Sequence, residues 1–220
     1  MKNDFFVIIP AHNEQKHIPS VIKGVKKYSD NIIVVDDGST DKTSDVAKKE
    51  GVSVLSHVVN LGKGAALKTG CEYALRKRAK RLIFIDADGQ HQPQDIPRFL
   101  NALKEADIVF GSRALNKRMP FLLKFGNWFI NQTNNLLFGV NLRDTQSGYR
   151  AMTSEAYDKI KWKSTSYSVE SEMVANTGKK RLKYKEIPIR TIYSDKYKGT
   201  TVVDGVKIVL NMVWWKLSRW

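Results

Sequence analysis

Short uninterrupted apolar runs alternate along the chain with longer stretches in which apolar residues recur every three or four positions. Runs of the first kind read as strands buried on both faces, and stretches of the second kind as helices that cover them. Phe5 to Ile9 is the first run; Pro10 stops it, which predicts a central strand ending at a turn. Ile18, Val21, Ile22 and Val25 then share one helix face, and Ile32 to Val35 predicts a second strand followed by a helix over residues 42 to 50. Residues 52 to 57 give a third strand, and a helix opens near Gly62 and runs to about Lys80. Leu82 to Ile85 is the fourth buried run. Pro93 opens a helix whose Ile96, Phe99, Leu100 and Leu103 face a core, and residues 107 to 113 form a further strand. This alternation predicts an α/β fold with a mostly parallel sheet flanked by helices.

The second half is less regular. Residues 119 to 140 are rich in Phe, Leu and Trp, but Asn127, Asn131, Gln132, Asn134 and Asn135 interrupt them, which suits a core helix and a membrane-surface helix equally. Asp144 to Arg150 reads as a tight polar turn, and residues 169 to 177 as a helix carrying Glu170 and Glu172. Pro188 makes residues 183 to 189 an edge strand, because proline cannot donate within a central one. Residues 202 to 220 are helical in pattern and place Trp214, Trp215 and Trp220 among Lys207, Lys216 and Arg219. Tryptophan beside basic residues suits a membrane interface or an oligomer contact. No repeat or linker divides the chain, so one domain over residues 1–200 with a helical extension over 201–220 is the economical reading.

Composition narrows the partners. Lysine and arginine number 37 against 22 acids, a net charge of +15 that favours phosphates, nucleic acid or an anionic membrane. The single cysteine, Cys71, excludes an intramolecular disulfide and reads as a small buried residue. The first residues lack a signal-peptide pattern, and no apolar run reaches the 18 residues that a membrane-crossing helix needs.

The acids gather where predicted strands end, the place at which open α/β sheets bind ligands. Asp86 and Asp88, separated by Ala87, can both reach one hard cation from a turning strand end, and Mg²⁺ or Mn²⁺ on a diphosphate is the expected occupant. Asp36-Asp37-Gly38-Ser39-Thr40-Asp41 offers carboxylate acceptors for ribose hydroxyls or base N–H groups, or else an ordinary turn with a helix cap. Asn13 and Glu14 divide in the same way between helix cap and ligand contact. In Asn60-Leu61-Gly62-Lys63-Gly64-Ala65-Ala66-Leu67, Leu67 stands where a dinucleotide fingerprint needs its third glycine, and Gly64 stands where a phosphate loop needs Ser or Thr. What survives is a flexible turn that carries Lys63 either to a phosphate or onto the surface. Arg113, which ends a strand at the same edge as the two acid pairs, is a surface charge or a phosphate ligand, and Arg150, on a tight turn, is a second candidate phosphate ligand. Acids concentrated at successive strand ends would repel a nucleic-acid backbone, which argues against a basic nucleic-acid-binding module.

In order, P-A-H-N-E, V-V-D-D-G-S-T-D, N-L-G-K-G-A-A, D-A-D-G-Q-H, G-S-R and Q-S-G-Y-R resemble the family 2 inverting glycosyltransferases of the Rossmann-like GT-A fold. Within that family the motifs are most similar to the polyprenyl-phosphate glycosyltransferases, over about residues 5 to 190. The resemblance implies a nucleotide-sugar donor (GDP-mannose or a UDP-sugar), a polyprenyl or dolichyl phosphate acceptor, and peripheral attachment to the cytoplasmic face of a membrane. It assigns Pro10, Glu14, Val35 and Asp37 to the nucleoside, Asp86, Ala87 and Asp88 to the metal and diphosphate, and Gln90 to a further metal contact. It assigns Arg113 to a donor phosphate, Arg150 to the lipid phosphate and Glu172 to the acceptor side. The family's R-x-x-G-x-S-K segment is replaced by Lys196-Tyr197-Lys198-Gly199-Thr200-Thr201-Val202, so Lys196 stands for the arginine and the last lysine is lost. A saccharide-hydroxyl acceptor and a nucleotidyltransferase are the alternatives; the second lacks its usual glycine-rich turn after Ile9.

Overall fold

The computed structural model describes residues 4–113, 121–166, 168–192 and 202–217. The apolar runs become strands β1 (Phe5–Ala11), β2 (Ile32–Asp37), β3 (Ser53–His57), β4 (Arg81–Phe84), β5 (Ile108–Arg113), β6 (Arg150–Thr153) and β7 (Tyr184–Ile189) of one sheet, ordered β3-β2-β1-β4-β6-β5-β7. Every neighbouring pair is parallel except the two made by β6, which runs against both β4 and β5. β7 lies at the sheet edge, where Pro188 harms no central ladder. Neighbouring residues of β1 serve opposite faces: Ile8 enters one core, Val7 and Ile9 the other.

One core lies under α3 (Lys63–Arg76), α5 (Phe121–Phe138), α6 (Ser154–Ile160), α7 (Val169–Lys179) and α8 (Val202–Leu217). The other lies under α1 (Ile18–Lys26), α2 (Thr43–Lys49) and α4 (Ile96–Ala102). Each fully buried Ile, Val, Leu or Phe adds about 1.5–3 kcal/mol to the association of these layers. The C-terminal helix is docked on this frame. Ile208 and Met212 of α8 are buried, and the helix packs on α5 and α7.

Three details depart from the sequence reading. β1 continues through Pro10, which pairs in register with Val35. The N–H of Val7 donates to Asn31 and the carbonyl of Ile8 accepts from Ile85, so even-numbered residues face β4. β4 ends at Phe84, leaving Pro10 opposite no ladder that needs its missing donor. The second departure is β6 and α6, which follow the polar turn at once; β6 shows only Arg-Ala-Met-Thr, too few apolar residues to stand out. The third is minor: a 3-10 turn at Pro93–Asp95 precedes α4.

Candidate active site

Parallel strands deliver their carboxyl ends to one edge of the sheet, and the reversed β6 delivers its start to the same edge. The 86–91 loop after β4, the end of β5 at Arg113 and the turn before Arg150 therefore converge. At their centre the Lys63 ammonium lies 2.7 Å from Asp86 Oδ1 and 2.8 Å from Glu170 Oε1. Lys63 opens α3 and Glu170 sits in the first turn of α7, so this lysine ties two helices to the loop after β4.

The electrostatics follow from crowding. Burial alone would raise the Asp86 carboxyl, but Lys63 and His91 outweigh it and bring it down to about 2. Burial would lower Lys63, yet Asp86 and Glu170 reverse the sign and hold it above the ordinary lysine range. Asp88 is pushed up, first by burial and then by the charge of Asp86. Two carboxylates that repel each other in a half-enclosed site form an electrostatic well for a divalent cation. Among the described residues no three His, Cys, Asp or Glu side chains are grouped to hold a metal ion. That donor set fits Mg²⁺ or Mn²⁺, which take one or two protein carboxylates and complete their shell with substrate phosphates and water.

The support around these acids is built from ordinary packing. The Asp86 N–H points to His91 Nδ1 at 3.4 Å, and burial of that ring lowers its pKa. The His91 ring lies 5.3 Å from Tyr149, which stacks on Phe99 at 4.4 Å. Gly89 takes φ +76° to close the loop, and the Gln90 N–H donates to Asp88 Oδ1 at 3.0 Å. Gly148 abuts the ion pair. A Cβ there would stand 2.5 Å from Asp86 Oδ2 and 2.6 Å from Lys63 Nζ. Gly148→Ala is therefore expected to separate Lys63 from Asp86, with a stability loss of about 1–3 kcal/mol, read as a fall in melting temperature together with lost turnover.

Arg113 forms a two-point pair with Asp144, Nε to Oδ2 at 2.7 Å and Nη2 to Oδ1 at 3.1 Å, which presents its guanidinium at the end of β5. Burial alone would raise Asp144, but the arginine holds its carboxyl below the usual range.

A match to the model of glycosyl transferase family 2 spans residues 6–161. The chain belongs to that family. It is 33% identical to a UDP-N-acetylglucosamine–dolichyl-phosphate N-acetylglucosaminyltransferase of Methanococcus voltae, over 97% of this chain and 96% of that protein. It is 31% identical to an undecaprenyl-phosphate mannosyltransferase of Micrococcus luteus, over 97% of this chain and 94% of that protein. Its fold is similar to that of a glucosyl-3-phosphoglycerate synthase from Mycobacterium tuberculosis solved with Mn²⁺, UDP and phosphoglyceric acid (TM-score 0.76, 18% identity, 98% of this chain and 79% of that chain). The GT-A architecture and the glycosyltransferase class are thus shown, and the solved structural neighbour binds Mn²⁺.

For this family 2 glycosyltransferase, several residues expected to meet ligands are instead inside the scaffold. Arg150 is 1% exposed, and its guanidinium donates to the carbonyls of Ser147 (2.9 Å), Glu170 (2.7 Å) and Thr145 (2.7 Å). It lies under the site, holding the 145–147 turn to α7. Glu172 accepts from the N–H groups of Lys163 and Ser164 at 2.9 and 2.8 Å, so its carboxylate fastens that loop. Asp37 is 3% exposed; it accepts from His57 Nδ1, Leu61 N–H and Gly62 N–H, at 2.7, 2.9 and 2.7 Å. It therefore shapes the turn that delivers Lys63. The Val35 side chain is fully buried in the sheet core. Pro10 and Glu14 stay at the end of β1, with Glu14 accepting from His17 at 2.7 Å, and Ala87 is buried beneath the loop. Asn13 takes φ +55°, and its side chain accepts from Thr40 N–H at 2.8 Å, fastening the 38–41 turn; it does not cap α1. Lys196 lies outside the described residues.

The glycine turn before α3 also has a different use. The N–H groups of Gly64 and Ala65 both donate to the Thr165 carbonyl, at 2.7 and 3.2 Å, so the helix start is capped by protein. A Cβ on Gly62 would lie 2.4 Å from that carbonyl, which is why glycine at φ +96° stands there. Any phosphate contact from this turn falls to the Lys63 side chain. The sequence places Asp144 in a turn and Glu170 on a helix without giving either a role, and it gives none to His91 or Thr165. The H in D-A-D-G-Q-H and the first acid of V-E-S-E were the signals for two of them.

Proposed function

We propose that this glycosyltransferase moves a hexosyl or N-acetylhexosaminyl group from a nucleotide-sugar to a polyprenyl or dolichyl phosphate, with inversion and with Mg²⁺ or Mn²⁺. The observation that carries the donor half is the pair Asp86 and Asp88 on the loop after β4, with the Lys63 ammonium 2.7 Å from Asp86, a set that a diphosphate completes. A divalent ion bound there would supply positive charge to the departing nucleoside diphosphate. Asp86 and Asp88 would hold that charge in place, and Arg113, braced by Asp144, would add a guanidinium for a phosphate oxygen. Arg150 and His91 keep the loop and turn in register, so little reorganisation remains when charge develops.

The acceptor half is supported by chemistry and by surface. A phosphate acceptor arrives ionised and needs positioning more than a base. Glu170, the carboxylate that α7 brings here, is paired with Lys63 and is a poor candidate for deprotonating a sugar hydroxyl. The lipid-phosphate transferases among its relatives support the same acceptor class. On the outer helices, Trp128 and Leu136 of α5 and Leu210, Trp214 and Leu217 of α8 are exposed, Trp214 by 67% and Leu217 by 74%. Among the described residues no helix is long and apolar enough to cross a membrane, which leaves these side chains suited to lying at an interface. Trp215 packs partly into the core, Trp214 and its leucine neighbours are exposed, and Trp220 lies outside the described residues. The double variant Trp214→Ser/Leu217→Ser is expected to sediment with phosphatidylglycerol–phosphatidylcholine vesicles about tenfold less well than the parent. Equal sedimentation would remove α8 from the docking surface.

A donor screen tests the reaction: each nucleotide-sugar is incubated with polyprenyl phosphate, and nucleoside diphosphate and pyrophosphate are measured. Nucleoside diphosphate release that requires the lipid supports the proposal. Release driven equally by a saccharide hydroxyl, or pyrophosphate as the product, would favour one of the two alternatives.

A further inference from the structure

We propose that Lys63 is an exchangeable counter-ion: it neutralises Asp86 before the metal arrives and is then handed to Glu170, leaving Asp86 to the metal. The inference rests on the reading that Asp86 is a metal ligand. Three observations carry it. The ammonium already touches both carboxylates, at 2.7 and 2.8 Å, so the transfer is a shift between two contacts it makes now. Glu170 Oε2 is buried and has no hydrogen-bond partner among the described residues, so Glu170 has an unused acceptor for an ammonium with three donors. Only glycine at 148 leaves space for the pair, since a Cβ there would stand 2.5 Å from Asp86 Oδ2 and 2.6 Å from Lys63 Nζ.

The charge balance gives the exchange its direction. Asp86, Asp88, Asp144 and Glu170 face Lys63, Arg113 and Arg150, so this group holds one negative charge in excess. A divalent ion reverses that excess and repels the nearby ammonium, while its short oxygen contacts displace the longer one that Lys63 makes to Asp86. Held by Glu170, Lys63 remains beside the metal as a second cation for the diphosphate. Glu170 is then a positioning residue, acting through Lys63.

The test is Mn²⁺ binding to the full chain without nucleotide, followed by the electron paramagnetic resonance signal of the unbound ion. Lys63→Met, which removes the competing charge, should bind Mn²⁺ about tenfold more tightly than the parent. Lys63→Arg should behave like the parent, because the charge is kept. Glu170→Gln, which strands Lys63 on Asp86, should bind about threefold or more weakly. Circular dichroism checks that each variant is folded, and Lys63→Gln replaces Lys63→Met if the latter is not. Unchanged or weaker binding in the neutral Lys63 variant would overturn the exchange. Asp86→Asn separates this failure from that of the underlying reading: if it binds Mn²⁺ as the parent does, or the parent binds none, the metal assignment itself falls.

Discussion

Asp88→Ala is expected to abolish sugar transfer while leaving the melting temperature at or slightly above that of the parent. The two effects part because Asp88 is held against its own preference. Burial and the neighbouring Asp86 charge push its carboxyl up, so the folded chain gains nothing from ionising it without a cation. Removing the group relieves repulsion and deletes one hydrogen bond, from the Gln90 N–H at 3.0 Å. Catalysis loses a ligand of the charge that stabilises the leaving diphosphate, for which a fall of about 10²–10³-fold in turnover is the expected scale. Asp86→Ala should lose turnover similarly but also melt lower, because it breaks the contact with Lys63. Turnover assays with Mn²⁺ and thermal melts of both variants check this. Near-parental turnover in both would remove the metal from these two residues.

Arg150→Ala is expected to destabilise the whole fold by about 3–5 kcal/mol, since it opens a cavity and removes at once the hydrogen bonds to three buried carbonyls. The Phe110 ring, 5.1 Å beneath the guanidinium, loses its cation contact as well. Burial lowers this arginine to about 10, still well above neutral pH, so it is charged in the folded chain. Donor and acceptor affinities should fall together as the turn over residues 145–147 loosens. Chemical denaturation measures the first effect. A variant as stable as the parent that lost only acceptor use would return Arg150 to the lipid phosphate.

The contrast between Asp88 and Arg150 shows what the sequence could convey. The strands with four or five consecutive apolar residues, such as Ile32 to Val35 and Leu82 to Ile85, were legible because burial on both faces leaves no other pattern. β6 was not, because its four residues include an arginine whose burial depends on three carbonyls contributed by the 145–147 turn and by α7. The same limit explains the acids. Asp86 and Asp88 lie on a turn past a strand end, where a carboxylate can face a ligand. Asp37 has the same address, yet residues 57, 61 and 62 fold back to take up its oxygens. Asp36 is similarly used, accepting from the Ser39 N–H at 3.2 Å. Spacing identifies which acids reach the carboxyl edge of the sheet; only long-range packing decides which keep an oxygen for a ligand. Lys63 carries the same lesson, since the partner that fixes it, Glu170, is more than a hundred positions away.

The most direct measurement follows the sugar itself. The protein is incubated with a nucleotide-sugar labelled in the sugar and with polyprenyl phosphate, with Mn²⁺ or with chelator, and the label is partitioned between organic and aqueous phases. The expected result is label in an anionic lipid, matched mole for mole by nucleoside diphosphate, and lost on chelation. Label that remains aqueous with every donor, or enters lipid equally well after chelation, would contradict a metal-dependent transfer to a lipid phosphate.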